Sequence, residues 1–173
     1  MRVLGIDPGP EKSALVLWDS AAEQILAYGK NENKVFMEQI LALTPVDFCV
    51  IEMVQSFGMS VGAEVFETVY WIGRFAQAWD THCLTKVAPA VRLYRGDVKM
   101  HLCHSMQAKD SNIRQALIDR FGKPGTKKNP GPVTYGLAGD LWAAFAVAVC
   151  FCDRYCNSTG KMYALADKKG LSA

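Results

Sequence analysis

Apolar residues come in short runs over the first third of the chain. Residues 2–7 (RVLGID), 13–18 (SALVLW) and 24–28 (QILAY) are apolar or alternating, and turn-rich PGPEK and DSAAE separate them. That pattern predicts three strands joined as a meander. Over 34–43 (KVFMEQILAL) the apolar spacing lengthens to a helical period, which Thr44-Pro45 stops. DFCVIE, 47–52, returns to the pattern of a buried strand. In the segment 61–80, Val61, Val65, Val69, Ile72, Ala76 and Trp79 recur at three- and four-residue steps. Phe66, Tyr70 and Gly73 widen that stripe, so this helix is expected to be covered on two sides, by the sheet and by a second subunit.

CLTKVA, 83–88, reads as a further strand, and 96–121 as short helices, the clearest over SNIRQALIDRF. Residues 122–134 hold three prolines, three glycines and three lysines and predict a mobile loop. LAGDLWAAFAVAVCFCDRY, 137–155, predicts a last helix, apolar almost throughout and largely buried, with Asp140 in its first turn. A meander followed by alternating helices and strands argues for the α/β class, a mixed sheet flanked by helices.

The 173 residues suit one domain, assigned to 1–156, with the polar segment 157–173 expected to be a flexible tail. Half the residues are apolar and 21% charged, as in an ordinary soluble globule. A net charge of +2 permits a nucleic-acid partner without demanding one. No apolar run approaches the ~20 residues that cross a bilayer, so no membrane role is expected. MRVLGIDPG has no signal-peptide pattern. Of six cysteines, Cys49, Cys150 and Cys152 lie in apolar runs, which reads as reduced thiols in a cytoplasm.

Three carboxylates stand where burial is expected. Asp7 closes the first strand, Glu52 closes a later one, and Asp140 opens the most apolar helix. Alone, each has a plain reading: an Asx-type turn, a strand-end acid facing water, an acid at a helix start. Brought together they would repel, by roughly 4 kcal/mol per pair at ~4 Å and an effective dielectric of ~20. They must then take up protons or hold a cation. Oxygen ligands without a nearby His or Cys favour Mg²⁺ or Mn²⁺. HLCH, 101–104, and CFCDRYC lack the doubled spacing of a zinc site, and GKPGTKK lacks the phosphate-loop pattern.

GIDPG after a buried strand, a meander, and VIE ending another strand resemble the ribonuclease H-like nucleases. The resemblance is to the RuvC family of Holliday-junction resolvases, including divergent phage-borne members, and covers about residues 1–155. It implies a ribonuclease H-like mixed sheet flanked by helices and a homodimer that cuts branched DNA by paired nicks. It also implies two divalent ions, with Asp7 bridging both, Glu52 serving one and Asp140 the other. Lys99 and Lys109 stand where the family places DNA-contacting lysines. A bacterial cell or a phage-infected host is the implied setting.

The family carries two metal ligands three residues apart on its last helix. Aligning the small-apolar runs puts Asp140 at the first and Ala143 at the second; sliding the register puts Leu137 at the first and Asp140 at the second. Either way one ligand is missing. A water, another acid such as Asp110 or Asp97, or weaker metal binding would answer for it.

Lys123, Lys127 and Lys128 read either as a solvated loop or as phosphate contacts without sequence preference. Phe57 reads either as a cap on the core or as a wedge stacking on an unpaired base. Other readings in view are a nuclease for another DNA or RNA substrate and a junction-binding protein with weakened catalysis. A fragment of an actin-like ATPase would need a second phosphate-binding repeat, for which 173 residues leave no room.

Overall fold

A computed structural model describes residues 1–42, 45–55, 58, 60–82 and 88–155. Phe57, Thr44, Cys156 and the expected tail 157–173 lie outside the described residues, as does all but Ala88 of the strand expected at 83–88.

The meander forms as expected. Strands β1 (Arg2–Asp7), β2 (Lys12–Asp19) and β3 (Gln24–Glu32) pair antiparallel in sequence order. On its other side β1 pairs in parallel with β4 (Phe48–Met53), which pairs in parallel with β5 (Val91–Tyr94). The order β3-β2-β1-β4-β5 puts the strand that carries Asp7 in the middle of a mixed sheet. Helices α1 (Asn33–Ala42) and α2 (Ala63–His82) cover one face. Helices α3 (Arg95–Cys103), α4 (Asp110–Phe121) and α5 (Leu141–Tyr155) cover the other.

Two apolar cores result. Leu4, Ile6, Cys49 and Ile51 meet Phe36, Ile72, Phe75 and Trp79 on the α1/α2 face. Val3, Val16, Phe48 and Val50 meet Phe145, Val149 and Phe151 on the α5 face. Covered on both faces, β1 and β4 read as continuous apolar runs rather than alternating ones. The tightest seam is where α5 crosses β1. A Cβ on Gly5 would fall 2.2 Å from the Ala144 carbonyl oxygen and 2.9 Å from the Ala148 Cβ. Only a residue without a side chain lets helix and strand come that close.

At four places the structure departs from or adds to the expectations. β3 runs to Glu32 rather than ending near residue 28; its polar end pairs with β2, Lys30 opposite Ala14 and Asn31 opposite Ser13, at a sheet edge where no apolar signal is needed. The fifth strand is Val91–Tyr94, only four residues long and too short to show its period. On α2 the covered face is Thr68, Trp71, Ile72, Phe75 and Trp79, whereas Val61 and Val69 of the expected stripe are exposed with Phe66 and Tyr70. At 100° per residue Phe66, Val69 and Tyr70 lie on the side of the helix opposite Thr68, Trp71, Ile72, Phe75 and Trp79. The 122–134 loop is closed on itself by Thr126 N to Asn129 O (2.9 Å) and Gly131 N to Pro124 O (2.8 Å). No helix among the described residues is long and apolar enough to cross a membrane.

Candidate active site

Strand periodicity brings the first two acids together. Val3 and Gly5 face α5, and so does Asp7, two residues on. On β4 the residues facing α5 are Phe48 and Val50, and hence Glu52. The parallel register pairs Gly5 with Val50 and Ile6 with Ile51, so its continuation sets Asp7 beside Glu52. That places the Glu52 carboxylate near enough to raise the affinity of Asp7 for its proton.

The turn after Asp7 is held from below. Gly9 N donates to Ser13 Oγ at 3.2 Å, Ser13 Oγ donates to Asn33 Oδ1 at 2.7 Å, and Asn33 Nδ2 donates to the carbonyl of Gly9 at 2.9 Å. Ser13 and Asn33 are buried, so this small network costs no unsatisfied polar group and fixes the backbone that presents Asp7.

The electrostatics of the pair are severe. Burial, then the neighbouring Glu52 carboxylate and the charge of Asp140, push the Asp7 carboxyl up to about 8. Glu52 is only 7% exposed. Its Oε1 accepts from Arg95 Nη1 at 2.8 Å, while its Oε2 is buried with no hydrogen-bond partner among the described residues. Arg95 also donates through Nη2 to Asp110. Burial works against the Arg95 charge, but Glu52 and Asp110 more than offset it and raise its affinity for the proton.

Asp140 sits differently from expectation. It immediately precedes α5, and its carbonyl oxygen accepts from Ala143 N (3.0 Å) and Ala144 N (3.1 Å), the position of a helix cap rather than of a first turn. Its carboxylate is half-exposed and pairs with Lys30 Nζ from β3. Because α5 runs back along β1, its start comes beside the strand end, where Asp7, Asp110, Asp140 and Ala143 share a cavity of about 250 Å³. Leu137 is buried in the core and does not line that cavity.

The three acids therefore do not meet as a bare cluster. Among the described residues no three His, Cys, Asp or Glu side chains form a ready-made metal cage. Two of the chain's own cations, Arg95 and Lys30, already answer part of the charge that the sequence alone left to protons or a bound ion. Neither was expected. Arg95 reaches across 43 residues of sequence to Glu52 and Lys30 across 110 to Asp140, separations that no local pattern marks. Ser13 and Asn33 likewise carried no signal beyond being polar residues beside apolar runs.

A hard cation nevertheless suits the inner pair. Asp7 and Glu52 offer only acceptor oxygens when ionised, one of them orphaned, beside a second cavity of about 410 Å³ that Met53, Arg95 and Lys99 also line.

Of the candidate DNA contacts, Lys99 on α3 is half-buried in the wall of that larger cavity. Lys109 is exposed just before α4, its N–H donating to Asn112 Oδ1 at 2.9 Å. Lys123, Lys127 and Lys128 are exposed on the 122–134 turn and line neither of the two cavities that share Asp7. His101 of HLCH binds Asp153 at 2.9 Å, and Cys49, Cys103, Cys150 and Cys152 form no disulfide among the described residues.

No protein-family model matches the chain, and no curated protein sequence matches it. Solved structures do. Thermus thermophilus RuvC in complex with a Holliday junction substrate superposes with a TM-score of 0.66 at 15% identity, covering 88% of this chain and 93% of that one. Another Thermus thermophilus RuvC structure gives 0.63 at 17% identity, covering 89% and 96%.

Proposed function

Starting from a chain that has the RuvC-like, ribonuclease H-like α/β fold, we propose that it is a divalent-metal-dependent endonuclease that resolves branched DNA, such as a four-way junction, by paired nicks. One observation supports this above the rest. In that fold, Asp7 and Glu52 stand at the ends of adjacent parallel strands and line one cavity, with one buried Glu52 oxygen left without a donor among the described residues.

In this reading Asp7, Glu52 and Asp140 would hold the Mg²⁺ or Mn²⁺ ions, two of them. Such ions, when bound, supply an activated water and stabilise the leaving oxygen of a phosphodiester. The protein's own share is to fix the acids. The Ser13–Asn33 network holds the Asp7 turn, and the Gly5 seam keeps the start of α5 beside it. Lys99 and Lys109 are assigned to the DNA backbone near the cut, Lys123, Lys127 and Lys128 to phosphates farther away, and Phe57 to a base at the branch.

The exposed face of α2 is the proposed homodimer surface. Phe66 (64% exposed) and Tyr70 (56%) stand there beside Val69, an apolar face that a second copy would cover. Two joined subunits would nick the two strands of one junction.

A second reading has its own support. Ala143 brings only a methyl group to the smaller cavity, and Arg95 and Lys30 pair with two of the acids around it, Asp110 and Asp140, as suits a junction-binding protein with weakened catalysis. Cleavage of synthetic four-way junctions with Mg²⁺, with Mn²⁺ and with chelator separates the two. Nicks near the crossover, lost in Asp7→Asn and Glu52→Gln while junction binding survives, support the nuclease. Binding without cutting in either metal supports the second reading, and equal cutting of linear duplex removes the junction selectivity.

A further inference from the structure

Arg95 lies between two acids. Nη1 donates to Glu52 and Nη2 to Asp110, so one planar guanidinium spans both carboxylates. Glu52 is more than nine-tenths buried, and its other oxygen, Oε2, has no partner among the described residues, on the side chain that lines the larger cavity with Asp7 and Arg95. Asp110 lines the smaller cavity with Asp7, Asp140 and Ala143. A cation is thus already lodged among these oxygens, and one more charge than it carries is needed to satisfy them.

The other acid that could answer for Ala143 is engaged elsewhere. Asp97 pairs with Arg154 Nη1 at 3.2 Å and lines neither cavity. Asp110, by contrast, is 77% exposed at the start of α4, so its side chain can turn without disturbing any packing.

Resting on the metal-dependent reading above, we infer that Asp110 supplies the carboxylate that Ala143 lacks. Arg95 is its counter-ion in the metal-free protein and competes with a divalent cation for the same oxygens. A dication offers twice the charge of a guanidinium to the same carboxylates, and hard oxygen ligands are what Mg²⁺ and Mn²⁺ take.

The test is Mn²⁺ binding to the DNA-free protein, followed by the paramagnetic resonance of unbound Mn²⁺. Asp110→Asn should weaken binding by about tenfold or more, the scale on which losing even an outer partner of a metal ligand is felt. Asp119→Asn removes an equal charge from the same helix, where its carboxylate binds Gln115, and should leave binding unchanged. Arg95→Lys keeps the charge but cannot span two carboxylates, and should tighten binding. Unchanged or tighter binding in Asp110→Asn would overturn the inference while leaving the metal reading intact, provided Asp7→Asn abolishes binding. No Mn²⁺ bound by the unaltered protein, or none lost in Asp7→Asn, would overturn both.

Discussion

Gly5 of β1 and the carbonyl oxygen of Ala144 on α5 meet with no room for a methyl group between them. That contact does more than fill the core. It sets how far the start of α5, and with it Asp140, stands from Asp7. Gly5→Ala must push the helix off the strand, at a cost of about 1–3 kcal/mol for overpacking. Urea unfolding should show that loss, and Mn²⁺ binding should weaken with it. A variant as stable as the parent would contradict the described seam.

Burial of Asp7 beside Glu52 should give the protein an unusual pH dependence. An unfolded aspartate loses its proton near pH 3.8, whereas folded Asp7 keeps it up to about 8. Between those values the folded chain binds more protons than the unfolded one, so in chelator its stability from this group falls as pH rises. Asp7→Asn cannot ionise and offers an N–H to the neighbouring carboxylate. It should be more stable than the parent at pH 8 by about 1–3 kcal/mol, the scale of a hydrogen bond to a charged group. Thermal unfolding with chelator at pH 5 and pH 8 would reveal a slope of either sign.

Lys30 and Asp140 form an ion pair in which both side chains are about half in water. Exposed pairs contribute roughly 0–1 kcal/mol, so Lys30→Gln should unfold within about 1 kcal/mol of the parent. On the proposed metal-dependent reading its effect falls on metal binding. With the ammonium gone, Asp140 is released, and less Mn²⁺ should be needed for half-maximal binding or cleavage. A higher requirement would show that Lys30 helps the site rather than competes for it.

If Phe66 and Tyr70 are covered by a second copy, a charge placed among them must be desolvated on association. Phe66→Glu should then leave the protein folded but shift its mass in light scattering from dimer to monomer. Coordinated double nicking should fall while single nicking persists. A monomeric parent at micromolar concentration would remove the proposal.

How much of this was legible beforehand follows from which contacts are local. β1, β2 and β4 are buried on both faces, so their apolar runs stand out, and the acids that end β1 and β4 stand out against them. Parity along a strand then fixes which face those acids take. The central helix was legible in extent, but its buried face was not, because Val61 precedes the helix and Val69 stands with Phe66 and Tyr70 on its exposed face. The counter-ions were hidden altogether: Arg95 and Lys30 are ordinary basic residues until folding sets them beside acids far away in sequence. Asp140 was visible as an acid beside an apolar helix, and only the backbone hydrogen bonds place it before the first turn.

Strand β5 ends at Tyr94 and helix α3 begins at Arg95, with not one residue of slack between them. A guanidinium tethered that way inherits its aim from the rim of the sheet. Splicing a single amino acid into the junction would turn everything downstream by about 100° around the helix axis, swinging that arm away from its two acidic hosts. Length itself, at this joint, is therefore as constrained as chemistry, and lineages related to this chain should tolerate substitutions there far more readily than gaps.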